Sequence, residues 1–251
     1  MINSSFIFLD KIGKQLERKI WQQGIKDWNT FIKTKKVIGI SKKRKSYYDR
    51  KLIEARKAIY NNNSKFFNLP QSETWRLYEH FKDQTIFLDI EVSGVSKYDD
   101  ITLIGLYDGI ETKTTFNINQ NELRQFLSNY KLIVTFNGAT FDLPYISKRY
   151  PKLLPDIPNF DLRTACTRVN LTGGLKQIEK QLGIKRTNKI VEKMYGGDPL
   201  RLLKMYKATG DDHYINLLIE YNEEDIINLK PIADYVTKKL KHLNTTSLSK
   251  N

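Results

Sequence analysis

Residues 85–92 read TIFLDIEV, a near-continuous apolar run broken only by Asp89 and Glu91. Such a run predicts a strand buried on both faces. Working outward from it, ITLIGLY (101–107) predicts a second strand. A turn at Asp108-Gly109 leads into ETKTTFNI (111–118), whose alternation predicts the third strand of a meander. Residues 120–130 read as helix, KLIVTF (131–136) as another buried strand, and a helix is expected to begin near Ala139. Beyond about residue 161 the pattern is mostly helical, ending in a long helix over roughly 211–240.

Three antiparallel strands, a helix, a fourth strand and then helices is the order of a ribonuclease H-like α/β domain, a mixed sheet flanked by helices. Upstream the reading is helical. Leu16, Ile20 and Trp21 fall at helical spacing before Gly24, and Trp28, Phe31 and Ile32 repeat the pattern after it. Ser41 is positioned to cap a further helix carrying Tyr48, Leu52, Ala55 and Ile59 on one face. NNNSKFFNLP (61–70) reads as a linker, and SETWRLYEHF (72–81) as a short amphipathic helix. The expected division is a small all-helical region over 1–70 and the α/β domain over 71–251. Trp21, Trp28 and Trp75 sit at helical spacing and are expected in the core rather than stacked on bases.

Charge narrows the class of partner. The formal net charge is +14, and residues 1–80 hold 18 basic against 7 acidic side chains, whereas the remainder holds 24 against 21. A basic segment ahead of a domain that collects carboxylates suits a protein that grips a phosphate backbone. The lone Cys166 allows no internal disulfide and is expected to be a small buried residue in a reducing setting, hence a cytoplasmic location. The run FIFL is too short for a signal-peptide core, and no stretch approaches the roughly 20 apolar residues of a membrane span, so no membrane partner is expected.

Three short motifs carry the chemistry. LDIE places Asp89 and Glu91 two apart on the first strand, hence on one side of it. Two carboxylates so placed repel each other and are costly to desolvate unless a cation joins them. In FNGATFDLPYI (136–146), Asn137 and Gly138 end the fourth strand and Asp142 lies in the following helix among apolar neighbours. An Asp there is paired, a cap, or a metal ligand. In YNEEDI (221–226), Tyr221 and Asp225 are four apart on one helix face, while Glu223 and Glu224 point elsewhere.

Together these motifs resemble those of the DEDD superfamily of 3′→5′ exonucleases in its tyrosine subtype, which includes ribonuclease D and the proofreading domains of family B DNA polymerases. D-x-E on a strand, N-x-x-x-[FY]-D and Y-x-x-x-D occur there in this order, and all three are present here. TFNGATFDLPYISKR is especially like the second motif of the polymerase domains. The chain is also similar to stand-alone bacterial and archaeal ribonuclease H-like proteins, in which GGLKQIEKQLGI (173–184) has a counterpart. The likeness spans roughly residues 85–240. Where such proteins often carry Thr after the motif Glu, this chain has Val92, and His213 lies too far upstream of Tyr221 to suggest the histidine subtype.

The resemblance implies two divalent cations, Mg²⁺ or Mn²⁺, held by Asp89, Glu91, Asp142 and Asp225, with Asp89 shared between them. It implies that Tyr221 orients the attacking water through its hydroxyl, and that nucleotides leave from a 3′ end. Single-stranded DNA is the favoured substrate and RNA the other possibility. A ribonuclease H-like endonuclease or resolvase with the same carboxylates, and a binding protein without turnover, are the competing readings.

FLDKIGKQLERKIWQQGI (8–25) resembles a helix-hairpin-helix element, which holds a phosphate on backbone N–H groups after a glycine turn. Gly13 is then the turn glycine, with Lys14 beside it, and Lys11 stands where a first glycine is common. Residues 37–59 suggest a second hairpin turning at Gly39, with Lys42, Lys43, Arg44 and Lys45 nearby; a solvated basic face is the simpler reading. Asn137, Phe141, Lys176 and Arg186 complete the expected nucleic-acid contacts.

Overall fold

The computed structural model describes residues 2–94, 100–116, 118–187, 191, 194 and 197–246. The apolar run at 85–92 forms β1 (Thr85–Val92), and β2 (Ile101–Tyr107) pairs with it antiparallel. β3 (Thr112–Thr115) adds the outer antiparallel strand after the turn at Gly109, where φ is 100°. It is shorter than the alternation suggests, and Asn117 lies outside the described residues. On the other side of β1, β4 (Leu132–Thr135) and β5 (Asn159–Asp161) run parallel, giving the order β3-β2-β1-β4-β5. This is the ribonuclease H-like mixed sheet. β5 escapes the sequence reading because three residues are too few to show a period.

The alternation along β1 divides its side chains between two layers. Ile86, Leu88 and Ile90 pack with Leu123 and Leu127 of α5 (Gln120–Leu127) and with Ile146 of α6 (Asp142–Arg149). Phe87 faces the opposite way, into a cluster with Leu229, Ile232 and Val236 of the long terminal helix (Asp212–Thr246). Asp89 and Glu91 follow Phe87 at two-residue steps, so the strand period turns both toward the layer of that helix.

The N-terminal region is helical, as expected: α1 (Lys14–Gln22), α2 (Trp28–Lys33) and α3 (Lys42–Tyr60). Ser41 caps α3, its hydroxyl accepting from the Arg44 N–H at 3.4 Å. Tyr48, Leu52, Ala55 and Ala58 form the buried face of α3, with Ile59 only half-buried. These helices share one hydrophobic cluster with the α/β domain, for Phe6, Trp28 and Leu52 pack in the same core as Trp75, Phe160 and Leu162. A buried ionic network reinforces the join. The Glu17 carboxylate on α1 accepts from both terminal nitrogens of Arg76 at 2.9 Å and from the Phe6 N–H at 2.7 Å. Arg76 in turn donates through Nε to Glu73 at 2.7 Å.

That network explains a departure from the expected amphipathic helix over 72–81. Gln71–Leu77 is a 3-10 helix followed by the single α-turn α4 (Tyr78–Phe81), and Glu73, Thr74, Trp75, Arg76, Leu77, Tyr78 and Phe81 are all buried. Polar residues there meet partners in the interior instead of solvent. Trp28 and Trp75 are buried and Trp21 packs at the core's edge, its indole N–H on the Ser4 carbonyl at 2.9 Å. Cys166, in α7 (Leu162–Thr167), is buried, and desolvation pushes its thiol up to about 12. Among the described residues no helix is long and apolar enough to cross a membrane.

Candidate active site

β1 ends at the bulge between Glu91 and Val92, and β4 pairs with it only as far as Phe87 opposite Val134. Past that point the Ile90 N–H has a different partner, the carboxylate of Asp142, at 3.1 Å. Asp142 opens α6 and is 3% exposed. It reaches β1 because the chain turns sharply after β4. Asn137 adopts φ 68°, and the Asp161 carboxylate at the end of β5 accepts from the N–H groups of Asn137 and Ala139 at 3.1 and 3.0 Å. Asp161 also caps α7, accepting from Arg163 and Thr164.

The terminal helix supplies the rest. With α8 (Leu175–Leu182) and α9 (Pro199–Thr209) placed before it, it is α10 (Asp212–Thr246), and it lies across β1 and β2. Asp225 thereby meets the two β1 acids, and oxygens of Asp89, Glu91 and Asp225 all lie within 4.8 Å of one another. Asp142 stands beside this trio, tied to the backbone between its two strand members. Glu223 and Glu224 turn away, to the Thr112 hydroxyl at 2.8 Å and to the N–H and hydroxyl of Thr187.

Burial and mutual repulsion set the electrostatics. Asp89 is held far above the ordinary carboxylate range by desolvation first, then by the charges of Asp142, Glu91 and Asp225. Desolvation, with Asp225 and Asp142 behind it, pushes Glu91 up to about 8. Asp142 is pushed up to about 7, again chiefly by burial, against the backbone N–H groups that favour its charged form. Asp225 rises to about 6 by burial while Arg186 pulls it down. Four acids that resist ionising in one place are what a divalent cation resolves. Their oxygen-only donor set suits Mg²⁺ or Mn²⁺ rather than zinc.

Tyr221 sits one turn before Asp225, half-buried among Leu217, Leu218 and Leu202. Its ring has Lys176 on it at 4.8 Å and Arg186 at 5.4 Å. Burial, Asp225 and Glu91 raise the phenol's pKa, so at neutral pH its hydroxyl keeps its proton. Arg186 is the built-in cation of the site. It makes paired bonds to Glu179 at 2.8 Å each and also bonds Asp225. Glu179, buried on α8, accepts further from Asn228 of α10 at 2.9 Å. Arg186, expected at a phosphate, has its guanidinium on the two carboxylates of Glu179 and Asp225. Lys176 donates to the Gly197 carbonyl at 3.2 Å.

Three polar residues escaped the sequence reading. Asn222 is fully buried and donates to Asp89 at 2.8 Å; its place three residues before Asp225 puts it on the same helix face. Glu179 takes a core position in the series Leu175, Ile178, Glu179, Leu182, a pattern that signals a buried partner. Asp161 gave only a capping signal before LRTACT.

Beside Glu91 opens a cleft of about 710 Å³ lined by Val92, Phe141, Pro144 and Tyr145 and by Pro199 and Leu200 of α9. Phe141 is 42% exposed and packs on Tyr145 with ring centroids 5.6 Å apart. Asn137 faces the loop instead, its side-chain Oδ1 accepting from the Thr140 hydroxyl and from Arg163 at 3.1 Å each.

In the basic N-terminal region the left-handed turn falls at Lys11, with φ 63°, where the hairpin resemblance places its first glycine. Gly13 is the N-cap of α1 with φ −92°, so it is not the turn residue expected. Lys14 pairs with buried Glu73 at 2.7 Å. Gly39 does turn left-handed, at φ 86°. Lys42, Lys43 and Arg44 are exposed on the first turn of α3. Lys45 departs from that row because the helix turns it inward. It is buried over the Phe31 ring at 4.9 Å and bound to both oxygens of Asp49.

No curated protein matches the chain. Among solved structures it is similar to the family B DNA polymerase from the hyperthermophilic archaeon Pyrobaculum calidifontis, at 16% identity and a TM-score of 0.48, over 61% of this chain and 24% of that one. The model of the RNase H superfamily matches residues 86–237, more than half of the sequence and a span that includes Asp89, Glu91, Asp142 and Asp225, and the chain belongs to that superfamily.

Proposed function

We propose that the chain is a metal-dependent 3′→5′ exonuclease that shortens single-stranded DNA. The observation that carries this reading is the convergence of Asp89, Glu91 and Asp225 within 4.8 Å, with Asp142 beside them. Nothing in the packing of a sheet calls for that concentration of charge. Two divalent cations, when bound, would supply a water acidified to neutral pH and charge stabilisation for in-line phosphodiester displacement.

The chain's own residues do the rest. Asp89, Glu91, Asp142 and Asp225 would hold the cations. Tyr221, protonated, would orient the attacking water by its hydroxyl rather than remove a proton from it. The cleft beside Glu91, with Phe141 and Tyr145 in its wall, suits an unstacked base at a strand end. Lys42, Lys43 and Arg44 would engage backbone phosphates away from the reaction. The 3′→5′ polarity rests on the motif resemblance.

The test is digestion of end-labelled DNA and RNA oligonucleotides with Mg²⁺, Mn²⁺ or EDTA. Metal-dependent shortening of DNA, blocked by a 3′-terminal modification, is expected. Cutting of a circular single strand would identify an endonuclease instead. Absence of turnover under every condition would leave a binding protein.

A further inference from the structure

The terminal helix brings a third polar group to the carboxylates, and the sheet is shaped to receive it. Asn222 is 0% exposed, and its Nδ2 donates to Oδ2 of Asp89 at 2.8 Å. The amide's other end, Oδ1, is buried with no hydrogen-bond partner. Leaving a buried carbonyl oxygen unsatisfied is costly. With a cation bound and Asp89 ionised, the reverse orientation is worse, because it would set an acceptor against a carboxylate. The amide is therefore held as a donor by the acid it touches.

The strand opposite carries a matching peculiarity. Gly105 lies in the interior of β2, directly across from Asp89 in the β1–β2 register. A glycine there weakens a strand and marks a close approach. What approaches is Asn222, since a Cβ on Gly105 would stand 1.7 Å from its Oδ1. The unsatisfied end of the amide thus meets the strand-weakening glycine, while its other end meets Asp89.

Resting on the nuclease reading above, we propose that Asn222, seated in the gap left by Gly105, is a positioning residue that fixes the Asp89 carboxylate so that its other oxygen is presented to the cation. Neither residue would touch substrate. Outer groups that orient a metal-binding carboxylate matter for affinity, and losing one typically lowers it about 10- to 100-fold.

The test uses the full chain and reads Mn²⁺ binding by titration calorimetry alongside the melting temperature of the metal-free protein. Asn222→Leu replaces the amide with an apolar group of similar size. It is expected to melt at or above the wild-type temperature and yet bind Mn²⁺ about 10- to 100-fold more weakly. Gly105→Ala should show the same loss of affinity by displacing the amide. In an Asn222→Ala background Gly105→Ala should cost no further affinity, because the group it displaces is already gone. Folded Asn222→Leu protein with wild-type Mn²⁺ affinity would overturn the inference, as would full additivity of the two changes. Wild-type protein that takes up no Mn²⁺ would overturn the nuclease reading itself, and this inference with it.

Discussion

Arg186 and a divalent cation answer the same electrostatic demand, and removing the first should make the fold depend on the second. The Arg186 and Asp225 side chains are 11% and 13% exposed, and Glu179 on the other side of the guanidinium is 3% exposed. Arg186→Met therefore strands two carboxylates in the interior. Breaking a buried pair by removing one partner costs about 3–5 kcal/mol. In a chain of this size each kcal/mol moves the melting temperature by about 2–4 °C, so the metal-free variant should melt roughly 6–20 °C below wild type. Since domains are stable by only about 5–15 kcal/mol, the variant is expected near the limit of folding.

Saturating Mn²⁺ changes the balance at Asp225 but not at Glu179. The cation restores a positive charge to Asp225, and it meets less competition there than in wild type. The metal-induced rise in melting temperature should thus be larger in Arg186→Met, by about 4–8 °C for roughly 2 kcal/mol of recovered pairing. Arg186→Lys, which keeps the charge, should respond to Mn²⁺ much as wild type does. Thermal denaturation by circular dichroism, with and without Mn²⁺, reads all three proteins. An equal deficit for Arg186→Met in both conditions would refute the reasoning, because it would make Arg186 a packing residue indifferent to the cation.

Asp89→Ala and Asp225→Asn should each reduce hydrolysis by at least about a thousandfold, the equivalent of several kcal/mol of charge stabilisation, while the circular dichroism spectrum stays that of the folded chain. Wild-type turnover by either folded variant would remove the acid from the site. Tyr221→Phe should lower turnover by about a hundredfold or less, at the weak end of proton-handling effects, and leave Mn²⁺ affinity in place; a loss of metal binding would show that the hydroxyl is a ligand. Metal-free stability should fall as pH rises. Glu91, Asp142 and Asp225 have folded values of about 8, 7 and 6 against 4.5, 3.8 and 3.8. The folded chain therefore holds the extra protons, and their stabilisation is complete below about pH 4 and lost as pH climbs through 6 to 8. Denaturant melts at stepped pH with chelator would expose a flat or opposite trend. Charge reversal of Lys42, Lys43 and Arg44 should weaken single-stranded DNA binding and reduce its salt slope by about two, an outcome excluded if the slope is unchanged. Deleting residues 1–70 is not an equivalent test, since it would strip Phe6, Trp28 and Leu52 from the core they share with Trp75.

Much of the sheet could be read from the chain because its information is local. The apolar run at 85–92 and the Asp108-Gly109 turn declare their elements within a few residues. β5 could not be read this way: it exists because β4 offers an edge, and Asn159–Asp161 contains one apolar side chain. Residues 72–81 misled for the opposite reason. Their polar side chains imitate a solvent face, yet Glu73 and Arg76 are buried by a partnership with Glu17 some sixty residues away. Within the site, the positions of Asp89 and Glu91 follow from strand period and those of Tyr221 and Asp225 from helix period. What no period reveals is which cation neutralises which acid. Arg186 reads as a basic residue beside a helix, and only the packing of α8 on α10 turns it toward Asp225. Asn222 lay in plain view at the correct helical offset, but its meaning depends on the gap at Gly105, a residue on another element.

The central claim, that Asp89, Glu91, Asp142 and Asp225 form one cation-binding centre, is tested most directly by anomalous diffraction from crystals of the protein soaked in Mn²⁺. Two anomalous peaks among these four side chains, with Asp89 contacting both, are predicted. A well-ordered structure that retains the fold and shows no manganese at these carboxylates would contradict the account.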